Sequence, residues 1–333
     1  MTGDGATALG AARFDPGTVG TYLDHLDRVD PEGAVRLALD LLDRGWSVAD
    51  VLVDVVAVAQ REIGRRWLAG RWSVVQEHAA THVSEQVVAA VGRRTGRPSG
   101  PGHVVMACVE GEWHALAARI VAEVVRASGR RVTFLGASVP PRHLVSYLHQ
   151  TGPDAVLLSC VQSTRLIRAA RMIAACRAAD VPVVAGGPGF GADGRWATAV
   201  GAAAWGASAR EAVRLLDRHD HRGPTGEPPT PPDDEHVAVL RRRRDVVQGV
   251  TGALGAAGDD AEPVAQAAAQ VLDALAAALL VGDPELLTGF VRWQREALGG
   301  RGCLVEPILT GYATALTDHP RALRYLRLAR SDG

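Results

Sequence analysis

Apolar residues recur at intervals of three and four from Val19 to about Val91, as in Val35, Leu37, Leu39, Leu41 and Leu42 and then Val51, Val55, Val56, Val58 and Ile63. That spacing predicts a bundle of about four amphipathic helices, divided by turn signals at Asp30-Pro31, Asp43 to Gly45 and Gly70. A Gly/Pro-rich run, Gly96 to Gly102, breaks the helical pattern, and beyond it the period changes. Short apolar runs without polar alternation, at His103 to Val109, Arg131 to Leu135, Ala155 to Ser159 and Val181 to Ala185, read as strands. They alternate with helical stretches at Trp113 to Ala127, Pro141 to Gln150, Thr164 to Ala178 and Ser208 to Asp217. Strands of this kind, each followed by a helix, predict a parallel sheet covered on both faces, a flavodoxin-like (Rossmann-like) doubly wound domain with its ligand across the carboxyl ends of the strands. His219 to Glu235 is rich in proline, glycine and acid and reads as a linker; Val237 to Arg330 is helical again.

The expected organisation is therefore multi-domain, α and α/β: a loose tail over 1–16, a helical cap over 17–97, a Rossmann-like domain over 98–218, a linker over 219–235 and an all-helical domain over 236–333. With 333 residues, two or three domains are expected at roughly 100 to 200 residues each.

Composition narrows the chemistry. All 36 basic side chains are arginine, so lysine Schiff-base chemistry and a P-loop lysine are excluded. A net charge of -1 argues against electrostatic nucleic-acid binding, which needs a clustered surplus of cations. The one dense basic run, Arg241 to Arg244, reads as the solvated first turn of a helix. Cys108, Cys160, Cys176 and Cys303 form no CxxC pair, which suggests neither a zinc ribbon nor a disulfide framework and fits a reducing cytoplasm. No basic-then-apolar leader opens the chain, and no window reaches about 18 uninterrupted apolar residues, so no membrane span is expected.

The most informative stretch is Gly111-Glu112-Trp113-His114-Ala115-Leu116-Ala117, directly after the first strand of the doubly wound domain. It resembles the cobalamin-binding domain, whose Asp-x-His-x-x-Gly motif places a histidine under cobalt. The resemblance implies that His114 is the lower axial ligand and that Glu112, at the aspartate position, bonds the far ring nitrogen. Glu112 replaces Asp, and Ala117 replaces the final glycine, where its methyl would narrow the approach of the nucleotide tail. Trp113 lies inside the motif. Ser159, at the end of the third strand and followed by Val161 and Ser163, and Gly186-Gly187, after the fourth, match further parts of the pattern in order. Each alone is also an ordinary strand-end turn.

In the helical block, Trp67 is followed after nine residues by Glu77-His78. This W-x9-EH segment resembles CarH-type cobalamin photoreceptors, where the bundle caps the upper corrin face and these residues meet an adenosyl group. His82 shares the helical face of His78, and either a pocket position or a plain surface histidine fits it. Where that family carries a cobalt-binding histidine after the tryptophan, Leu68 stands here, excluding a bis-histidine adduct through that position. The family's DNA-binding domain has no counterpart before the bundle, so direct DNA binding is not expected.

The order of cap, cobalamin domain and helical extension resembles the photocobilins, which hold biliverdin near cobalamin. On that resemblance the extension serves bilin binding or signalling, with Trp293, Tyr312, Arg292, Arg295, His319 and Cys303 as candidate pocket residues. Cys303, beside Gly302 and before an apolar helix, reads as a buried inert thiol rather than a bilin attachment point. The expectation is a non-enzymatic, cytoplasmic light sensor using adenosylcobalamin and biliverdin, homo-oligomeric with light-dependent assembly and an unidentified signalling partner. Its main competitor is a corrinoid methyl carrier of a methyltransferase system, which shares the two-domain core. A cobalamin-dependent isomerase subunit would need a substrate-holding barrel, and none is evident; an apo scaffold for a signalling partner is the fourth reading.

Overall fold

The computed structural model describes residues 15–331 apart from 97, 99, 101, 219–229 and 256–260. The expected tail (to residue 14), most of the linker and the break after Gly255 thus lie outside the described residues.

The cap comprises α1 (Pro16–Asp27), α2 (Pro31–Asp43), a π-helical turn (Asp50–Val56) running into α3 (Ala57–Leu68), and the long α4 (Val74–Arg94). Helix starts follow the chemistry of their first residues. Asp15 and Asp30 accept backbone N–H bonds ahead of Pro16 and Pro31, and Ser73 and Gln76 form a reciprocal capping box at α4. Gly70, with φ of 67°, makes the turn between α3 and α4.

The second domain alternates β1 (His103–Cys108), α5 (Ala115–Ala127), β2 (Arg131–Gly136), α6 (Pro141–Thr151), β3 (Ala155–Ser159), α7 (Leu166–Ala178), β4 (Val183–Gly186), α8 (Arg195–Ala199), β5 (Ala204–Gly206) and α9 (Ala209–Asp217). All strand pairs are parallel, in the order β2-β1-β3-β4-β5, so the doubly wound expectation holds. Period two divides the core. Val104, Met106 and Cys108 face the cap side with α5 and α9; Val105 and Ala107 face α6, α7 and the C-terminal helices. β1 and β3 are buried at every position, while edge strand β2 is only half-buried.

The last domain contains α10 (Glu235–Arg241), α11 (Arg243–Ala253), α12 (Ala261–Val281), α13 (Pro284–Ala297), a 3-10 turn (Gly299–Leu304), α14 (Val305–Ala315) and α15 (Pro320–Ser331). By length and composition α12 could cross a membrane, with a mean hydropathy of 1.8. Here it is the core helix of the domain, packed by α10, α11, α13, α14 and α15. It also rests on α7 and on the 3-10 turn Ser163–Arg165 at the carboxyl end of the sheet. Trp196 Nε1 donates to Asp283 at 2.8 Å, tying α8 to the start of α13. The C-terminal domain therefore leans over the carboxyl edge of the sheet.

Candidate functional site

The loop after β1 is built around a buried carboxylate. Gly111 (φ 79°) turns the chain, and its N–H donates to Ser138 Oγ at 3.0 Å. Glu112, 1% exposed, then points inward. Its Oε1 accepts from the His114 backbone N–H at 3.0 Å and contacts His114 Nδ1 at 2.5 Å. Its Oε2 accepts from Val161 N–H at 2.9 Å and Gln162 N–H at 3.1 Å, while its carbonyl accepts from Ser138 N–H at 2.9 Å. One side chain thus joins the loops that follow β1 and β3, and its backbone adds the loop after β2.

His114 stands just before α5 with 60% of its side chain exposed. The Glu112 hydrogen bond raises the basicity of the ring, and burial and Arg165 offset it only in part. Burial alone would push the Glu112 carboxyl up, yet hydrogen bonds from His114 and Val161 hold it below the usual glutamate value. With Nδ1 engaged, Nε2 is left without a hydrogen bond to any described residue. An imidazole fixed by a buried carboxylate with its other nitrogen open is the donor arrangement of a metal-bound histidine. No cluster of three or more His, Cys, Asp or Glu suited to a metal occurs among the described residues. A metal here has to arrive with ligands of its own.

Trp113 is 73% exposed beside His114. Across from it, Glu77 lies close enough to the His114 ring to favour its protonation. Glu77 Oε2 contacts His78 Nδ1 at 2.5 Å and its Oε1 accepts from Thr81 Oγ1 at 3.0 Å; His78 is otherwise exposed. The first turn of α4 also exposes Val74 and Val75. Glu77 thus brings the start of α4 within electrostatic reach of His114. His82 is also exposed and lies 3.5 Å from Glu85, a surface pair.

Ser159 is buried at the end of β3, and Val161 and Ser163 are half-buried in the loop that follows. Gly187 (φ 101°) could carry no side chain, since a Cβ there would lie 2.3 Å from the Cys160 carbonyl oxygen; Gly186 is roomier. Gly189 is constrained in the same way at 2.8 Å, a position that sequence reasoning passed over. Arg165 was also missed. It is near enough to oppose protonation of His114, and its Nε is buried without a partner among the described residues.

The C-terminal candidates separate. Trp293 reaches Trp67 of the cap at a centroid distance of 6.4 Å and Phe290 at 5.6 Å. Tyr312 instead lies in the interior of its own domain, its hydroxyl donating to the Ala268 carbonyl at 2.5 Å. Arg295 pairs with Glu306 at 3.7 Å, Arg292 is exposed, and His319 is half-buried just before α15. The expectation of a buried Cys303 is corrected: the residue does precede α14, but the 3-10 turn Gly299–Leu304 leaves it exposed.

Comparison with known proteins fits this geometry. Residues 102–214 match the family model described as B12 binding domain, and residues 20–91 match a second model with the same description. Trimethylamine corrinoid protein 1 of Methanosarcina mazei is 23% identical over 198 residues, covering 57% of this chain and 91% of that protein. A corrinoid protein of Desulfitobacterium hafniense is 26% identical over 191 residues, covering 56% and 86%. The HTH-type transcriptional repressor CarH of Myxococcus xanthus is 34% identical over 116 residues, but these are 33% of this chain and 36% of that protein. The solved monomethylamine corrinoid protein of Methanosarcina barkeri shares the fold, with a TM-score of 0.53 at 18% identity over 60% of this chain and 96% of its own. The helical and α/β segments are thus two adjoining B12 binding domains, and the chain is a cobalamin-binding protein that continues into a further helical region.

Proposed function

We propose that the protein holds adenosylcobalamin between cap and sheet, with His114 as its lower ligand, and acts as a light sensor that keeps its upper ligand enclosed. One observation carries the choice of sensor. The C-terminal domain places Trp293 against Trp67, the cap residue of the W-x9-EH segment, so a region beyond the two B12 binding domains touches the proposed upper face. When bound, cobalamin supplies a cobalt–carbon bond at which an upper group is held and released.

The chain's own residues do the rest. Glu112 keeps the proton on His114 Nδ1 and leaves Nε2 as donor. Glu77, His78 and Trp67 border the opposite side, with Trp113, Ser159, Val161, Ser163, Gly186 and Gly187 around the lower face. A displaced Trp67 would move Trp293 and hence α13, a route by which the C-terminal domain reads the site. Biliverdin beside Phe290 and Trp293, light-dependent oligomerisation and a cytoplasmic signalling partner complete this reading.

A corrinoid methyl carrier is the second reading, and the comparisons taken alone favour it. The trimethylamine corrinoid protein is matched over 91% of its length, whereas the repressor is matched over 36%. The test is to load dark-purified protein with adenosylcobalamin and biliverdin and record absorption and size before and after green and red light. Light-dependent changes in the protein-bound bands, with a change in assembly or shape, support the sensor. Photolysis no different from that of free cofactor, with no change in size, moves the assignment to the carrier.

A further inference from the structure

Away from His114, a groove of about 340 Å³ runs between the second half of α4, α5 and edge strand β2. Its walls carry three guanidinium groups, Arg93, Arg119 and Arg126, above an apolar floor that includes Val132 and Phe134. A smaller hollow of about 190 Å³ shares Ala89, Arg119 and Phe134 with it and extends to Ala115 and Leu116, next to His114, and to Glu85, which faces His82 at 3.5 Å. The volume is at the lower end of small-molecule pockets, which span about 300 to 1,000 Å³.

The charges do not balance. The carboxylate of the main groove is Glu123, 4% exposed and fully engaged: Arg119 Nε donates to its Oε1 at 2.8 Å and Arg126 Nε to its Oε2 at 2.8 Å. Arg126 Nη2 also donates to Glu123 and to the Gly92 carbonyl. That close approach needs glycine at 92, where a Cβ would lie 2.7 Å from the Glu123 carboxyl carbon. Glu123 therefore acts as an internal strut that orients two arginines and neutralises one of them. Arg119 is further fixed over the Phe134 ring, 5.2 Å from its centroid. Neither of its Nη groups, nor any guanidinium nitrogen of Arg93, hydrogen-bonds a described residue.

We propose that this groove binds a small organic anion, a carboxylate or phosphate ester on a short flat or apolar body. The anion accepts from Arg119 and Arg93 in the planar two-pronged geometry that guanidinium offers, and the body rests on Phe134 and Val132. Because the groove is walled by α4 of the cap and by α5 of the sheet domain, its ligand bridges the seam and favours the closed cap. This site is independent of the cobalamin reading.

Phenyl phosphate and benzoate, with inorganic phosphate as the bare anion, test it by isothermal titration of the full chain with and without cobalamin. The expected result is saturable binding of an aryl anion, at least tenfold tighter than inorganic phosphate and weakened at least tenfold by Arg93→Gln and by Arg119→Gln. The phosphate ester and the carboxylate arms identify which anion is preferred. Arg93 is exposed and its guanidinium pairs with no described residue, so its variant keeps the fold, which a melting curve and unchanged cobalamin uptake verify. Absence of saturable binding by either aryl anion, or identical affinity in wild type and Arg93→Gln, overturns the proposal.

Discussion

Arg210, at the start of α9, donates from Nη2 to Asp50 Oδ1 at 2.7 Å, so the sheet domain grips the π-helical turn of the cap through a buried ion pair. Asp54 joins it, accepting from both terminal nitrogens of Arg210 at 2.9 and 2.8 Å. The side chains of Arg210 and Asp50 are 15% and 3% exposed, so removing the cation strands a carboxylate where water cannot reach it. Arg210→Ala is expected to lower unfolding free energy by about 3 kcal/mol, the scale of a broken buried pair, in urea titration. Adding Asp50→Asn should recover part of that loss.

The Glu112–His114 pair gives a pH signature in the cobalamin-free protein. Glu112 is held below its ordinary 4.5, so its contribution is present above 4.5 and disappears as pH falls through the lowered value. His114 is raised above its ordinary 6.5, so its contribution is complete below 6.5 and disappears as pH rises through the raised value. The stability difference between wild type and Glu112→Gln should therefore be largest between 4.5 and 6.5 and shrink on both sides. If His114 holds cobalt as proposed, ligation requires the unprotonated Nε2, so cobalamin uptake should weaken as pH falls below the raised His114 value. Urea midpoints and spectral titrations across the range check both trends.

Trp67 and Trp293 pack at 6.4 Å with a 38° tilt, a geometry in which aromatic pairs couple by about 0.5 to 1.5 kcal/mol. A double-mutant cycle with Trp67→Ala and Trp293→Ala should return a coupling of that size by denaturant titration. Under the sensor reading, Trp293→Ala also abolishes light-dependent changes in assembly while cobalamin stays bound. Under the carrier reading it leaves cobalamin behaviour unaltered.

Thiol reactivity should divide sharply. Burial pushes the Cys108 and Cys176 thiols up to about 12 and Cys160 higher still, whereas Cys303 is exposed. Iodoacetamide at neutral pH is expected to modify Cys303 first, with the other three reacting only on unfolding, as peptide mass mapping would show.

Much of this was legible along the chain because it depends on local order. His114 stands out by following a strand in a parallel-sheet pattern, and Glu112 by its spacing from it. Asp15, Asp30 and Asp283, each followed by proline, mark helix starts by their own chemistry. What stayed hidden was long-range. The Val161 and Gln162 N–H groups that complete the Glu112 cage are backbone atoms with no side-chain signature. Arg210 and Asp50 are 160 positions apart, and no local pattern pairs them. Tyr312 shows the converse: an aromatic on a helix is compatible with a pocket wall or a core, and only packing chose the core.

The proposed donation of His114 Nε2 to cobalt, with Glu112 holding Nδ1, is tested most directly by electron paramagnetic resonance of cob(II)alamin bound to protein carrying ¹⁵N-histidine. The axial nitrogen splitting of wild type is expected to change from three lines to two on labelling, and His114→Ala to lack this change. A three-line pattern in labelled wild type, showing the cofactor's own base still on the metal, would contradict it.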